Sequence, residues 1–153
     1  MIHIALPNQE MIELHHAVFD INGTLAIDGH IIPEVINRLQ ELSTRLSLHA
    51  LTAGTHGNVM DIEHALGFPL HLVANGEEKA RYVQQLHPDS VIAFGNGMND
   101  VEMLRLAAIG VAILGTEGMA ACVFQAADIV TLGPLDAIDL VLKPQRLIAT
   151  LRK

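Results

Sequence analysis

The feature that most constrains this chain is an alternation of short strand-like segments with helical patterns, in which several strands stop at a polar cluster. Residues 11–19, 47–51 and 90–94 are predicted strands, and each is followed at once by aspartate, threonine or glycine. Strands that alternate with helices at short spacing are typical of a parallel, doubly wound sheet. We therefore predict an α/β fold with three layers, a mostly parallel sheet and Rossmann-like connections.

Apolar periodicity and turn residues predict the remaining elements. Residues 7–10 are turn-like and separate two strand-like segments, which predicts an N-terminal β-hairpin. The other predicted elements are strands at 2–6, 70–73, 111–114 and 128–131, helices near 58–66, 77–86, 99–107 and 118–126, a helix from Pro33, and a last helical region from about 134 that Pro144 interrupts. The sequence shows no linker or repeat, so one domain over residues 1–153 is expected.

Composition restricts the partners and the compartment. The formal net charge is −8 and no basic patch is evident, which argues against nucleic acid and against an anionic membrane as partners. The first residues show neither a basic region nor a long apolar run, so we expect no signal peptide and no membrane helix. Cys122 is the single cysteine. It excludes an internal disulfide, and we expect it to pack in the core of a cytoplasmic protein.

Three polar clusters follow the strands that end near residues 19, 51 and 94. In a parallel sheet these clusters meet at one edge, where ligands bind. Turn chemistry alone explains any single cluster, but three at one edge, with Lys79 on a nearby helix, indicate a site. The residues of the clusters are Asp20, Asn22, Gly23 and Thr24, then Thr52, Gly54 and Thr55, then Gly95, Asn96, Gly97, Asn99 and Asp100.

These residue types suit phosphoryl transfer. A carboxylate at a strand end, such as Asp20, can act as a nucleophile and form an aspartyl phosphate. Carboxylate and carbonyl oxygens suit Mg²⁺. The hydroxyl of Thr52 and the backbone N–H groups of residues 52–54 can hold phosphate oxygens, and Lys79 can offset charge on the transferred group.

The clusters resemble the motifs of the haloacid dehalogenase-like superfamily. Residues 19–25, FDINGTL, resemble its first motif, DxDGT, and the DKTGT of P-type ATPases. Residues 48–52, LHALT, are similar to the second motif, Lys79 lies where the third-motif lysine is expected, and residues 95–100, GNGMND, resemble the fourth motif, GDGxND. The similarity runs over about residues 15–142 and includes the AADIV stretch of P-type ATPase phosphorylation domains at 126–130. The first and fourth motifs together are a specific signal.

The resemblance implies a Mg²⁺-dependent phosphohydrolase that acts through an aspartyl phosphate on a small phosphate ester or a nucleotide. Asp20 is the implied nucleophile, and the implied catalytic set also includes Asn22, Thr52 and Lys79. The same implication assigns phosphate binding to Thr52, Ala53, Gly54 and Lys79, and metal binding to Asp20, the Asn22 carbonyl, Asn96 and Asp100.

Two departures from the motifs lead to an alternative function. The superfamily's phosphatases usually carry a second aspartate where this chain has Asn22, and an amide cannot transfer a proton in that way. Asn96 stands where a metal-binding aspartate is usual, which predicts weaker Mg²⁺ affinity. The enzyme is therefore expected to be slow, and the alternative is a phosphate- or metal-binding regulatory protein that has lost catalysis.

The stretches between the motifs leave no room for a cap domain. Residues 25–51 and 53–78 are used by core elements, and capless relatives often form oligomers in which neighbours cover the site. A dimer or tetramer is the expectation by analogy. The N-terminal hairpin either contacts a neighbour through its edge or extends the sheet. His56 follows the second motif, where an ordinary loop histidine is favoured over a substrate contact.

Overall fold

A computed structural model describes residues 1–54 and 59–153. The strands are β1 Ile2–Ile4, β2 Ile12–Leu14, β3 His16–Asp20, β4 Ala26–Ile27, β5 His30–Ile31, β6 Ser47–Thr52, β7 Leu70–Leu72, β8 Val91–Gly95, β9 Ile109–Ile113 and β10 Ile129–Thr131. The α-helices are α1 Pro33–Ser43, α2 Val59–Leu66, α3 Gly76–Gln85, α4 Val101–Leu106, α5 Pro134–Leu142 and α6 Pro144–Leu151. Short 3₁₀ helices span Pro88–Ser90, Met98–Asp100 and Ala121–Gln125. Asn58, the first residue of a predicted helix, lies outside the described residues.

Six of the strands form one parallel sheet, in the order β10-β9-β8-β3-β6-β7. Successive residues of a strand face opposite layers, and both layers are apolar. On β3, Phe19 belongs to the layer with α1, α5 and α6, whereas Val18 belongs to the layer with α3 and α4. The Phe19 and Phe94 rings stack with centroids 4.5 Å apart between neighbouring strands. The predicted three-layer α/β fold with a parallel sheet is confirmed.

Proline and asparagine set the beginnings of several helices. Pro33, Pro134 and Pro144 occupy first turns, where the missing N–H costs nothing. Pro144 thereby separates α5 from α6, as predicted. Asn75 caps α3, because its side-chain oxygen accepts the Glu78 N–H at 3.0 Å. Among the described residues, every helix is too short or too polar to cross a bilayer.

The predicted N-terminal hairpin is confirmed, and the structure adds a second hairpin that was not predicted. β1 and β2 pair antiparallel, but they form a separate two-stranded sheet and do not extend the central one. A second hairpin, β4–β5, follows β3 directly and was not predicted, because each of its strands has only two residues. Its turn is Asp28-Gly29, and both residues adopt positive φ, at 51° and 78°. Such a turn matches the twist of paired strands.

Two predictions near residue 120 were wrong. The helix expected over 118–126 is only the 3₁₀ helix Ala121–Gln125. Cys122 lies on this element and is exposed, whereas its neighbour Val123 is buried. A 3₁₀ turn of five residues buries only one narrow edge, and Val123 occupies it.

A chain of hydrogen bonds links three histidines and the single tyrosine beside the sheet. His16 Nδ1 lies 3.1 Å from His49 Nε2, His49 Nδ1 lies 3.0 Å from the Tyr82 hydroxyl, and that hydroxyl lies 3.1 Å from His71 Nε2. Burial, and then the nearby His16 and His71, lower the pKa of His49 to about 4. The pKa of His16 is also lowered, chiefly by burial.

The hydrogen-bonded group of histidines predicts that the stability of the protein depends on pH. His49 is neutral in the fold, so its contribution is full above pH 6.5 and is lost as pH falls toward 4. We expect the free energy of unfolding to fall by about 1–2 kcal/mol between pH 7 and pH 5, after discounting for partial exposure. Urea unfolding at both pH values measures the change. His49→Gln should remove most of this pH dependence, and His30→Gln, at an exposed histidine, should not. If the free energy of unfolding changed equally with pH in the two variants, the assignment to His49 would be contradicted.

Candidate active site

The site lies where three neighbouring strands end in step. Residue pairing aligns Asp20 on β3 with Leu51 on β6, and Phe19 with Phe94 on β8. Consequently Asp20, Thr52 and Gly95 reach the same edge, which is the carboxyl edge of the parallel sheet. The sheet thus brings the three predicted clusters together.

A buried lysine joins two of these clusters. Lys79, in the first turn of α3, donates hydrogen bonds through Nζ to Asp20 Oδ1 and, at 2.6 Å, to Asp100 Oδ1. Lys79 and Asp100 are fully buried, and Asp20 is 6 % exposed. The other Asp100 oxygen accepts the N–H groups of Asn96 at 3.0 Å and Gly97 at 2.9 Å. Both oxygens of Asp100 are therefore held by protein donors.

Close packing delivers Lys79 to this position. α3 begins at Gly76, and a Cβ on Gly76 would lie 2.7 Å from the carbonyl oxygen of Asn99. Only glycine lets the first turn of α3 approach the 98–100 turn so closely. The short distance between these two turns places Lys79 beside Asp100.

The buried cluster of Asp20, Lys79 and Asp100 determines whether Asp20 is ionised. Burial, followed by the charge of Asp100, raises the pKa of Asp20 to about 6, although Lys79 opposes the rise. Burial acts to lower the pKa of Lys79, but Asp20 and Asp100 together outweigh it and the pKa is raised. Lys79 therefore stays protonated, and Asp20 is mostly ionised at neutral pH.

A cavity of about 310 Å³ opens above Asp20. Its walls include the 52–54 loop and the 96–99 loop, and its lining residues are Asp20, Asn22, Thr52, Ala53, Gly54, Asn96, Gly97 and Asn99. Lys79 and Asp100 lie beneath this lining, so Lys79 faces the carboxylates instead of the cavity. The predicted residues Thr55 and His56 lie outside the described residues.

Hydrogen bonds fix the 52–54 loop against the loop after β3. The Gly54 carbonyl accepts the Thr52 hydroxyl at 2.7 Å and the Asn22 Nδ2 at 2.9 Å. The other side-chain atom of Asn22, Oδ1, is buried and has no hydrogen-bond partner among the described residues. A buried acceptor without a donor is costly, and a ligand that supplies one relieves that cost.

Asn96 lies at the meeting point of three loops. Its Oδ1 accepts the Thr24 hydroxyl at 3.3 Å, and its Nδ2 donates to the Gly118 carbonyl at 3.1 Å. Gly23 has a φ of 78°, and a Cβ there would lie 2.1 Å from Asn96 Nδ2. Glycine is therefore required at position 23. The contribution of the loop near Gly118 was not predicted, because no motif marks it.

The donors around the cavity suit a hard cation. Among residues 1–54 and 59–153, nowhere do three or more His, Cys, Asp or Glu side chains gather in a way that could hold a metal. The site instead combines the Asp20 carboxylate with amide and carbonyl oxygens of Asn22 and Asn96. An all-oxygen set with one free carboxylate fits Mg²⁺, which retains water ligands, better than it fits zinc.

A larger cavity, of about 650 Å³, lies at the opposite edge of the sheet. Its lining includes His15, His16 at the start of β3, and the ends of α1 and α2. The strand ends with the paired carboxylates do not reach it. We therefore assign the chemistry to the smaller cavity, where the charged and polar groups converge.

The fold and the site define a three-layer α/β protein with a buried aspartate at the end of a central strand of its sheet. The sequence model of the haloacid dehalogenase-like hydrolase family matches residues 47–132, and the chain belongs to this family. The predicted family is thereby confirmed.

Individual relatives agree with this family. The chain is 35% identical over 127 residues to the 5-amino-6-(5-phospho-D-ribitylamino)uracil phosphatase YbjI of Escherichia coli, a match that covers 78% of the chain but only 42% of that protein. The fold is similar to 3-deoxy-D-manno-octulosonate 8-phosphate phosphatase from Moraxella catarrhalis (TM-score 0.67, 15% identity, 89% of this chain and 90% of that one). It is also similar to part of a zinc-transporting PIB-type ATPase (TM-score 0.65, 21% identity, 78% of this chain and 20% of that one).

Removal of Lys79 should destabilise the protein. Lys79→Met leaves Asp20 and Asp100 buried without a counter-ion, and we expect a loss of about 3–5 kcal/mol in the free energy of unfolding. Adding Asp100→Asn should restore part of this loss. Urea denaturation at pH 7.5 measures both changes. Lys143→Met, at an exposed ion pair, is the control and should cost less than about 1 kcal/mol; a similar cost for Lys79→Met would refute the role of the cluster.

Proposed function

We propose that this protein is a Mg²⁺-dependent phosphohydrolase that acts through an aspartyl phosphate on Asp20. The observation that carries the proposal is the placement of Asp20 at the floor of a polar cavity, with a buried lysine on one carboxylate oxygen. Because Asp20 Oδ1 already accepts a hydrogen bond from Lys79 Nζ, we assign the attack on phosphorus to Asp20 Oδ2. Lys79 also keeps Asp20 ionised, as a nucleophile requires.

In the first step, Asp20 Oδ2 forms a bond to phosphorus, and the bond from phosphorus to the leaving oxygen breaks. The leaving alkoxide takes a proton from water and leaves a hydroxide, since the amide of Asn22 is too weak an acid to supply a proton. Backbone N–H groups of residues 52–54 and the Thr52 hydroxyl are assigned to the phosphate oxygens. A substrate with a good leaving group gains most from such a site.

In the second step, water attacks the phosphorus of the aspartyl phosphate. The bond between phosphorus and Asp20 Oδ2 breaks, phosphate leaves with the protons of the attacking water, one of which neutralises the hydroxide formed in the first step, and the carboxylate is restored. No carboxylate stands at position 22 to accept a proton from the attacking water. We infer that this step is slow, and that phosphorylated Asp20 is long-lived.

Asp20, the Asn22 backbone carbonyl and Asn96 Oδ1 are the residues proposed to hold Mg²⁺. Asp100 was predicted with them, but both of its oxygens accept protein hydrogen bonds. We therefore assign Asp100 mainly to orienting Lys79 and the 95–100 loop. The metal, when bound, offsets the charge of the phosphoryl group.

The names of similar proteins support the same reaction and metal. The E. coli relative is a phosphatase of a phosphorylated ribityl compound, and the Moraxella structure contains a magnesium ion and a phosphate ion. The described residues add only the small β4–β5 hairpin and α1 between β3 and β6, so neighbouring subunits are proposed to cover the site in a dimer or tetramer.

Asp20→Asn tests the nucleophile. It keeps the shape of the side chain but removes the charge, so we expect hydrolysis of phosphate esters to fall at least about a thousandfold. The phosphorylated intermediate, detected by mass spectrometry after an acid quench, should also disappear. Asp89→Asn, on an exposed turn, is the matched control. If wild-type protein binds Mg²⁺ and phosphate but turns over no ester, the chain is instead the regulatory protein considered from its sequence.

Asn22→Asp tests the missing acid and base. A carboxylate there can donate a proton to the leaving group and later accept one from water, so dephosphorylation should accelerate about tenfold or more. Rapid-quench measurement of phosphoenzyme decay gives the rate directly. Asn99→Asp, on the opposite wall of the cavity, adds the same charge and should not accelerate decay. An unchanged or slower decay in Asn22→Asp would contradict the account.

A further inference from the structure

The space around the cavity is acidic on two sides. One adjoining cleft, of about 330 Å³, is lined by Asn22, Asp28, Gly29 and Glu117, and we call it the hairpin cleft. A second, of about 470 Å³, is lined by Asn75, Gly76, Glu77, Met98, Asn99 and Glu102, and we call it the helix cleft. Each cleft carries two carboxylates and shares one residue, Asn22 or Asn99, with the cavity.

Positive charge is absent from the described lining of all three spaces. Neither lysine nor arginine lines the cavity, the hairpin cleft or the helix cleft. Lys79 is fully buried and is already bound to Asp20 and Asp100. Arg105 contacts Glu102 at 3.1 Å from outside the lining. A phosphoryl group above Asp20 therefore depends on a bound metal and on backbone N–H groups, and a second anionic group on the substrate finds no lysine or arginine in the described lining.

The hairpin cleft is held in shape by backbone contacts. The N–H of Asp28 donates to Glu117 Oε1 at 2.7 Å and ties the β4–β5 turn to the loop after β9. The N–H of Gly23 donates to the Ala26 carbonyl at 2.9 Å and ties the same hairpin to the loop after Asp20. Asn22 borders both spaces, and its Oδ1 is the buried acceptor without a described donor. A hydroxyl group of a bound ligand is a suitable donor for it.

From these contacts we propose that the site accepts monophosphate esters whose leaving group is a neutral polyol or an amino alcohol, with that group in the hairpin cleft. This inference rests on the proposed function. Asp28 and Glu117 accept hydrogen bonds from hydroxyl or ammonium groups. They repel carboxylates and further phosphates, so nucleoside diphosphates, nucleoside triphosphates and phosphorylated acids are poor substrates. A cleft carboxylate and a negative charge on the ligand that lie about 5 Å apart weaken binding about tenfold.

Two nearly isosteric esters test the selectivity. Glycerol 3-phosphate and 3-phosphoglycerate differ by a hydroxymethyl group in place of a carboxylate. With Mg²⁺ present, wild-type protein should show a kcat/KM at least about tenfold higher for glycerol 3-phosphate. Equal values, or a preference for 3-phosphoglycerate, would overturn the inference while leaving the proposed hydrolysis intact.

Neutral variants test the two carboxylates. In Asp28→Asn with Glu117→Gln, the side chains keep their shape, the acceptor for the Asp28 N–H remains, and asparagine tolerates the positive φ at position 28. The preference for glycerol 3-phosphate over 3-phosphoglycerate, measured as the ratio of their kcat/KM values, should fall about fivefold or more. Glu10→Gln with Glu13→Gln removes the same charge from the N-terminal hairpin and should leave the preference unchanged. An unaltered preference in the first double variant would sink the assignment.

Binding decides the matter independently of turnover. Backbone NMR of the Mg²⁺-loaded protein is recorded with inorganic phosphate alone and with glycerol 3-phosphate, in the Asp20→Asn variant if wild type consumes the ester. Both ligands should shift the amides of Ala53 and Gly54, and only glycerol 3-phosphate should shift Asp28 and Gly29. Identical shifts from both ligands would exclude the hairpin cleft. Absence of turnover with this pattern intact would instead reject the hydrolase.

Discussion

The buried contact of Lys79 with Asp20 and Asp100 is the interaction on which the site depends. It connects the end of β3, the first turn of α3 and the loop after β8 at the carboxyl edge of the sheet. Two carboxylates and one ammonium leave a single negative charge among side chains that are almost fully buried. Such a group is stable only if every hydrogen bond is made, and the backbone N–H groups of Asn96 and Gly97 complete the set. The contact that keeps Asp20 ionised therefore also determines how these three segments pack.

The parallel sheet makes this contact attainable. Because β3 lies between β6 and β8, its carboxyl end has a loop on either side, and both loops contribute to the cavity. Alternate residues of the same strands fill two apolar layers, and the polar residues of the site follow where the strands stop. A rigid core therefore positions Asp20, while short loops supply the groups around it.

The parts of the molecule that sequence predicts well are those with a physical signal at short range. Strand periodicity and the stop at Asp20, Thr52 and Gly95 predict the sheet and its active edge, since parallel strands bring their carboxyl ends together. The identity of Lys79 as the lysine of the site also follows from motif order. Its direction does not, because it depends on the close approach of α3 to the 98–100 turn, which lets Lys79 bond to Asp20 and Asp100 beneath the cavity lining.

The β4–β5 hairpin, the approach of Glu117 and the exposure of Cys122 have no comparable short-range signal. Asp28-Gly29 is a strong hairpin turn, but the two-residue strands beside it are too short for periodicity to register. Glu117 approaches the site only through the loop after β9, at a separation of 89 residues from Asp28. Contacts of that kind depend on the complete fold. The exposure of Cys122 likewise depends on a 3₁₀ turn where apolar composition alone favoured a helix.

The charges around the cavity explain why neutral side chains are favourable at Asn22 and Asn96. Aspartates at both positions would add two negative charges beside Asp20, and the site has no cation besides Lys79 among the described residues to offset them. The asparagines keep oxygen atoms near the cavity but reduce the repulsion of an incoming phosphate. The same neutrality removes the group that would hasten breakdown of an aspartyl phosphate. In the proposed reaction, weak proton transfer and tolerance of a phosphate dianion would both follow from the neutral side chains at positions 22 and 96. The acidic clefts outside the cavity would then restrict which leaving group can accompany that phosphate.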